Sequence, residues 1–240
     1  IPEGVVVVNS ENGTIESIEG RNSFDEQELE QHSGIIIPGL VNAHCHLELS
    51  HMQGLVDTGT GLIPFITDVV SRREADEEVK REAMIRADLY MEDQGVVAVR
   101  DISNVEDSFA IKRNSRLRYH TFVESFDLLQ DDQAEATFEQ SVQIYEEAPD
   151  SGGHRRSLVP HAPYSVSEQL FEHIVRFAKT ESAVLSMHNE ETPAENELFR
   201  SGEGDFNTFY EQFDLSLETF QPTGVSSLLS VHPYLSDELP

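Results

Sequence analysis

His44 and His46 stand two residues apart at the end of an apolar stretch, and imidazole nitrogen is a good ligand for zinc and iron. If that stretch is a strand, its two-residue period turns both rings to one face and Cys45 to the other. Cys45 then reads as a core filler rather than a nucleophile. His188 ends a second apolar stretch, and Glu191 follows it in Ser186-Met187-His188-Asn189-Glu190-Glu191. A third imidazole beside a carboxylate suits a catalytic divalent metal with an open position, which activates water while the carboxylate carries the proton. Plainer readings stand beside these. Ordinary histidines account for an isolated His-x-His, and Glu190, Glu191, Glu195 and Glu197 read equally as a surface acidic cluster. The segment Pro160-His161-Ala162-Pro163-Tyr164-Ser165-Val166-Ser167 offers His161 as a substrate contact, or is a turn before a capped helix.

These residues need elements to position them. Val5 to Val8 reads as a strand, Asn12-Gly13 as a hairpin turn, and 14–19 as the returning strand, so residues 1–34 form part of a small β-domain. From Ile35 the texture changes. Ile35, Ile36 and Ile37 begin a buried strand that resumes after Pro38-Gly39 as Leu40 and Val41, in the manner of a parallel sheet covered on both faces. Further strands are expected at 95–100, 117–125, 158–162 and 183–188. Helices are expected within 63–94 and at 105–114, 132–147, 166–180, 206–219 and 223–231, with Ser167 a cap near the start of 166–180. The rhythm is that of a parallel α/β sheet with about five βα units over residues 35–240. It fits part of an eight-unit barrel or a five-stranded open sheet.

Composition bounds the function. The chain has 240 residues, 38% of them hydrophobic, enough for one sizeable core. No apolar run approaches the roughly 18 residues of a membrane span, and the first residues do not resemble a signal peptide. A single cysteine excludes an internal disulfide framework, and a cytoplasmic location follows by default. The 45 acidic residues face only 16 basic ones, three of them lysines (Lys80, Lys112, Lys179), for a net charge of −29. That balance excludes nucleic acid and anionic membrane surfaces as partners. It points to a protein of a high-salt, halophilic cytoplasm, where ions screen the self-repulsion, or to a merely acidic surface.

Taken together, the motifs carry a resemblance. Pro38-Gly39-Leu40-Val41-Asn42-Ala43-His44-Cys45-His46-Leu47 resembles the first-strand signature of the amidohydrolase superfamily. His161-Ala162-Pro163-Tyr164-Ser165-Val166-Ser167 is similar to the fourth-strand motif of its cytosine deaminase and chlorohydrolase-like branch, and His188-x-x-Glu191 to that branch's fifth-strand motif. They occur in the family's order over nearly the whole chain. The resemblance implies a (β/α)8 TIM barrel, partial here, with part of a small N-terminal β-sandwich. It implies one divalent metal ion, zinc first and iron second, held by His44, His46 and His188. Glu191 would protonate a ring nitrogen as water adds to the adjacent carbon, ammonia would leave, and His161 would contact the substrate. Glu124, Tyr164 and residues 59–65 are further candidates for the substrate pocket.

The family's site also uses a sixth-strand histidine and an eighth-strand aspartate. His232 follows a helical stretch and does not fill the first role, so the sequence reads as incomplete at both ends and the native product as longer. The expected function is hydrolytic deamination of a purine, pyrimidine or related heterocycle, with aminodeoxyfutalosine deaminase-like chemistry one option. The expected partner is a small-molecule heterocycle, and a homo-oligomer is compatible with the sequence. The alternatives are a same-fold hydrolase of another C–N or a C–Cl bond, and a non-catalytic metal-binding barrel fragment.

Overall fold

A computed structural model of the chain describes residues 2–235. The chain divides into two compact units, one ending at Pro38 and the other beginning at Gly39. In the first, β1 (Gly4–Val8) pairs antiparallel with β2 (Ile15–Gly20). The turn between them closes through Asn9, whose N–H donates to Thr14 O and whose carbonyl accepts from Gly13 N, each at 2.8 Å. Gly13 sits at φ 72°, a conformation open to glycine at no steric cost.

The second unit is built on a four-stranded parallel sheet in sequential order. It begins with β3 (Leu40–Cys45) and continues through α1 (Leu62–Arg72) and α2 (Glu77–Asp93) to β4 (Val96–Ser103). Helix α3 (Phe109–Asn114), β5 (Arg118–Ser125), α4 (Ala134–Glu147), β6 (Arg155–Pro160) and α5 (Glu168–Glu181) follow in strict alternation. Helices α6 (Pro193–Ser201), α7 (Asp205–Gln212) and α8 (Ser227–Leu235) complete the described unit. Parallel strands require crossovers, and the helices supply them while covering the apolar runs. Helix α5 shows the local logic. Ser167 Oγ accepts the Leu170 N–H at 3.2 Å as an N-cap. Leu170, Phe171, Ile174, Val175 and Ala178 form its buried stripe, and Ser182 ends it in the left-handed region at φ 52°. Among the described residues no helix is long and apolar enough to cross a membrane.

Three expectations are corrected. Ile35, Ile36 and Ile37 form no strand and are exposed at 90, 67 and 63%. The strand starts only at Leu40, after Pro38, which has no N–H to give to a ladder. Leu40 and Val41 are themselves exposed, because β3 is an edge strand among the described residues. Residues 183–188 run without a strand ladder; they are tied by Ala183 N to Ala178 O at 2.9 Å and His188 N to His161 O at 2.8 Å. Among the described residues four strand–helix units are therefore laddered, where about five are expected. The expected helix 206–219 ends at Gln212, and Asp214, at φ 54°, turns the chain away.

Inside the sheet, His120 of β5 stacks on Phe122 with ring centroids 4.2 Å apart and lies 2.9 Å from Ser157 Oγ. Burial first, then Arg100 and Arg155, push its pKa down to about 4. An unfolded chain takes up this proton near the ordinary value of 6.5, so the contribution to stability is full above that pH and is lost as pH falls toward 4. We expect wild type to lose about 1–2 kcal/mol relative to His120→Gln between pH 7 and pH 4.5, allowing for partial exposure. Urea unfolding of both chains across that range checks this, and a gap that does not vary with pH would refute it.

Candidate metal centre

The C-terminal ends of parallel strands point the same way, so residues at those ends gather on one rim. His44 lies in β3 and His46 immediately follows it, with ring centroids 5.0 Å apart. Cys45 faces the other side, against the cluster of Leu47, Met84, Val99, Leu117 and Tyr119; burial and Asp101 push its thiol pKa up. The His188 N–H bond to His161 O holds the 183–188 segment at the rim without a ladder. This brings the His188 ring centroid within 4.9 Å of His44, 5.9 Å of His46 and 5.3 Å of His161. Nitrogens of His44, His46 and His188 all lie within 4.8 Å of one another.

Two carboxylates flank His188. Glu191 Oε1 is 3.6 Å from its Nδ1, and Glu191 Oε2 accepts the Tyr164 hydroxyl at 2.7 Å. Glu124, at the end of β5, places Oε1 3.6 Å from His188 Nε2, while its Oε2 accepts from Asn104 Nδ2 at 3.0 Å. Glu124, His161 and His188 form a second ligand-capable group that shares His188 with the first. His161 Nδ1 is 2.6 Å from Ser165 Oγ, and its ring lies 5.6 Å from both Phe126 and Tyr164. His44, Glu124 and His188 line one cavity of about 40 Å³ with Ile102 and Val159. A larger cavity of about 180 Å³, lined by Phe171, Phe199, Phe220 and Tyr234, is separate from the histidines. Leu62 and Ile63, from the 59–65 stretch, pack on the apolar cluster that contains Tyr164. His232 lies exposed on α8.

Burial sets the protonation. It pushes the His46 pKa down to about 3, with His44, His188 and His161 adding to the effect. It pushes His161 down to about 4 against the opposing pull of Glu191, and it lowers His188 despite Glu124. Burial raises Glu124 and Tyr164. Neutral imidazole is the ligating form, so the rings stand ready as donors. His46 Nδ1 is buried without a hydrogen-bond partner, an orphaned polar atom of the kind that calls for an explanation. Three imidazoles with adjacent carboxylates are an N/O donor set that fits a divalent metal, and burial favours the neutral ring at His46 and His188.

Other residues of the rim escaped the sequence reading. Glu195 looked like one of a surface cluster, yet it is fully buried. Its Oε2 accepts the Glu191 N–H at 2.9 Å, and its Oε1 accepts the Ser227 hydroxyl. The signal was present as Thr192-x-x-Glu195, the spacing of a capping box, although here the glutamate reaches Glu191 rather than the cap. Glu48, also buried, accepts from Asn104 N at 3.0 Å and Val105 N at 3.3 Å, which places the Asn104 amide against Glu124. Desolvation pushes the Glu48 pKa up to about 7.

Known proteins share this arrangement of elements. An adenosine deaminase of Helicobacter pylori is 26% identical over 185 residues, 75% of this chain and 44% of that protein. The crystal structure of Helicobacter pylori aminofutalosine deaminase in complex with methylthio-coformycin matches with a TM-score of 0.64 and 25% identity, over 80% of this chain and 45% of that one. An adenosine deaminase from Xanthomonas campestris with bound zinc has the same fold, with a TM-score of 0.63 at 18% identity over 89% of this chain and 51% of its own. The chain thus spans about half the length of the relatives it matches. The amidohydrolase family model matches residues 35–225, most of the sequence, and the chain belongs to that family.

Proposed function

We propose that the protein is a metal-dependent hydrolase that deaminates a purine, pyrimidine or related heterocycle. One observation carries the reading: Glu191, fixed by the Tyr164 hydroxyl at 2.7 Å, sits beside His188 in a cluster with His44 and His46. His44, His46 and His188 would hold one divalent ion, zinc first and iron second. When bound, that ion supplies Lewis acidity that makes water a nucleophile at neutral pH.

The chain's own residues do the rest. Tyr164 occupies Glu191 Oε2 and leaves Oε1, 3.6 Å from His188 Nδ1, as the oxygen that would carry the proton. Glu191 takes a proton from the attacking water and gives it to a ring nitrogen of the heterocycle as the C–O bond forms at the adjacent carbon. The proton of the new hydroxyl then passes to the exocyclic amine as the C–N bond breaks; the amine leaves as ammonia and a carbonyl remains, so both protons of the water are placed. His161, steadied by Ser165, and Glu124, steadied by Asn104, contact the substrate. The named substrates of the relatives, adenosine and aminofutalosine, support a nucleoside or its base. We further propose that residues 35–240 form the first βα units of a (β/α)8 barrel. Residues 1–34, with their hairpin, belong to a small β-sandwich, and the acidic surface serves a high-salt cytoplasm.

In the intact protein, Glu191→Gln is expected to lower ammonia release by about 10²–10⁴-fold while zinc content stays at the wild-type level. A screen over nucleosides and bases with parallel metal analysis tests this, and wild-type turnover in the variant would remove Glu191 from the chemistry. Stripping the metal with a chelator should abolish ammonia release and zinc should restore it; activity that survives with no metal present would overturn the metal-dependent reading. With a net charge of −29, the unfolding midpoint should rise from low to molar KCl as screening relieves repulsion. A flat profile would count against the high-salt assignment.

A further inference from the structure

Of three lysines in the chain, one is withdrawn completely from water. Lys112 of α3 and Asp101 of β4 are both 0% exposed, with Nζ 2.6 Å from Asp101 Oδ2. The other two ammonium protons are met by Ser103 Oγ at 2.9 Å and Thr121 Oγ1 at 3.2 Å. The rings of Phe109 and Tyr119 lie over the charge at 5.3 and 5.7 Å. Such a pair is weak evidence of stabilisation, because desolvation offsets most of the attraction, and apolar residues of similar volume often serve as well. Its presence calls for a reason other than stability.

Asp101 supplies one. Its second oxygen, Oδ1, accepts the backbone N–H of Leu47 at 2.7 Å. Leu47 directly follows His46, where the chain leaves β3 at φ −123° and ψ 76° and enters a short 3-10 turn, Leu47–Met52. Cys45 pairs with Asp101 in the β3–β4 register, and the ladder is irregular between Asn42 and Cys45. The ladder thus holds this end of β3 only at Cys45, and His46 lies beyond its last rung; the Asp101–Leu47 bond supplies a second tie on the far side of His46. We infer that the buried Asp101–Lys112 pair positions the metal centre: Asp101, neutralised by Lys112, holds the Leu47 amide and so fixes the angle at which His46 meets His44 and His188. Asp101 is a positioning residue that touches neither ion nor substrate, and the inference rests on the metal-centre reading above.

The test loads the intact protein with cobalt(II) and reads its ligand-field spectrum and its affinity against a competing chelator. Asp101→Leu with Lys112→Met removes the acceptor and both charges together. Asp101→Asn with Lys112→Met removes both charges and keeps a neutral acceptor for Leu47. The apolar pair should weaken cobalt binding by about 10–100-fold, the range for residues that orient ligands, and should alter the spectrum while circular dichroism stays unchanged. The pair with Asn should fall between it and wild type, with faster hydrogen exchange at the Leu47 amide. A folded apolar pair with wild-type affinity and spectrum would overturn the inference and leave the metal centre standing. If the apolar pair does not fold, the pair with Asn decides: faster exchange at Leu47 with unchanged cobalt affinity and spectrum overturns it equally. Failure of wild type to take up cobalt would overturn the metal-centre reading itself, and this inference with it.

Discussion

A carboxylate removed from water is costly unless a countercharge and hydrogen-bond donors meet it. Asp101 meets that demand by drawing in four parts of the molecule. Lys112 comes from α3, Ser103 from β4 itself, Thr121 is reached through Lys112 on β5, and the Leu47 amide comes from the end of β3. The sheet's C-terminal rim is organised about this one buried pair. Through the Leu47 amide the pair is bonded to the chain that leaves β3 carrying His44 and His46.

On the opposite side of the same strands the requirement is reversed. The rim gathers imidazoles whose protonated form is suppressed by burial, with His46 down to about 3 and His161 to about 4. Neutral rings and two nearby carboxylates suit a divalent cation. The carboxylates are held from behind. Glu195 secures the Glu191 backbone, and Glu48 places Asn104 against Glu124. A chain with 45 acidic and 16 basic residues thus carries a rim where Glu48, Glu124, Glu191 and Glu195 each accept from a fixed donor.

Local pattern was a good guide where the pattern itself has one structural meaning. The capped, amphipathic α5 and the buried β4 and β5 stand close to the spans their periodicity predicts. It failed where an apolar run needed a covering partner. Ile35, Ile36 and Ile37 have strand character, yet they are exposed and unladdered. Residues 183–188 have it too, yet they form no ladder and are tied through Ala183 to Ala178 and through His188 to His161. Strand propensity describes fitness for a pleated, half-buried surface; whether a neighbour stands at bonding distance is a tertiary matter.

The sequence by itself determined the chemistry on offer. Residue type and spacing made His44, His46, His188 and Glu191 candidates, and the strand–helix alternation required a parallel sheet whose strand ends would face one rim. Tertiary structure decided which candidates meet and what holds them there. Tyr164 reaches Glu191 across 27 positions, Asn104 reaches Glu124 across 20, and Asp101 reaches Leu47 across 54. No local pattern encodes such pairings. Glu195 and Lys112 look on paper like any surface charge, and only packing around them removed the water that would have made them so.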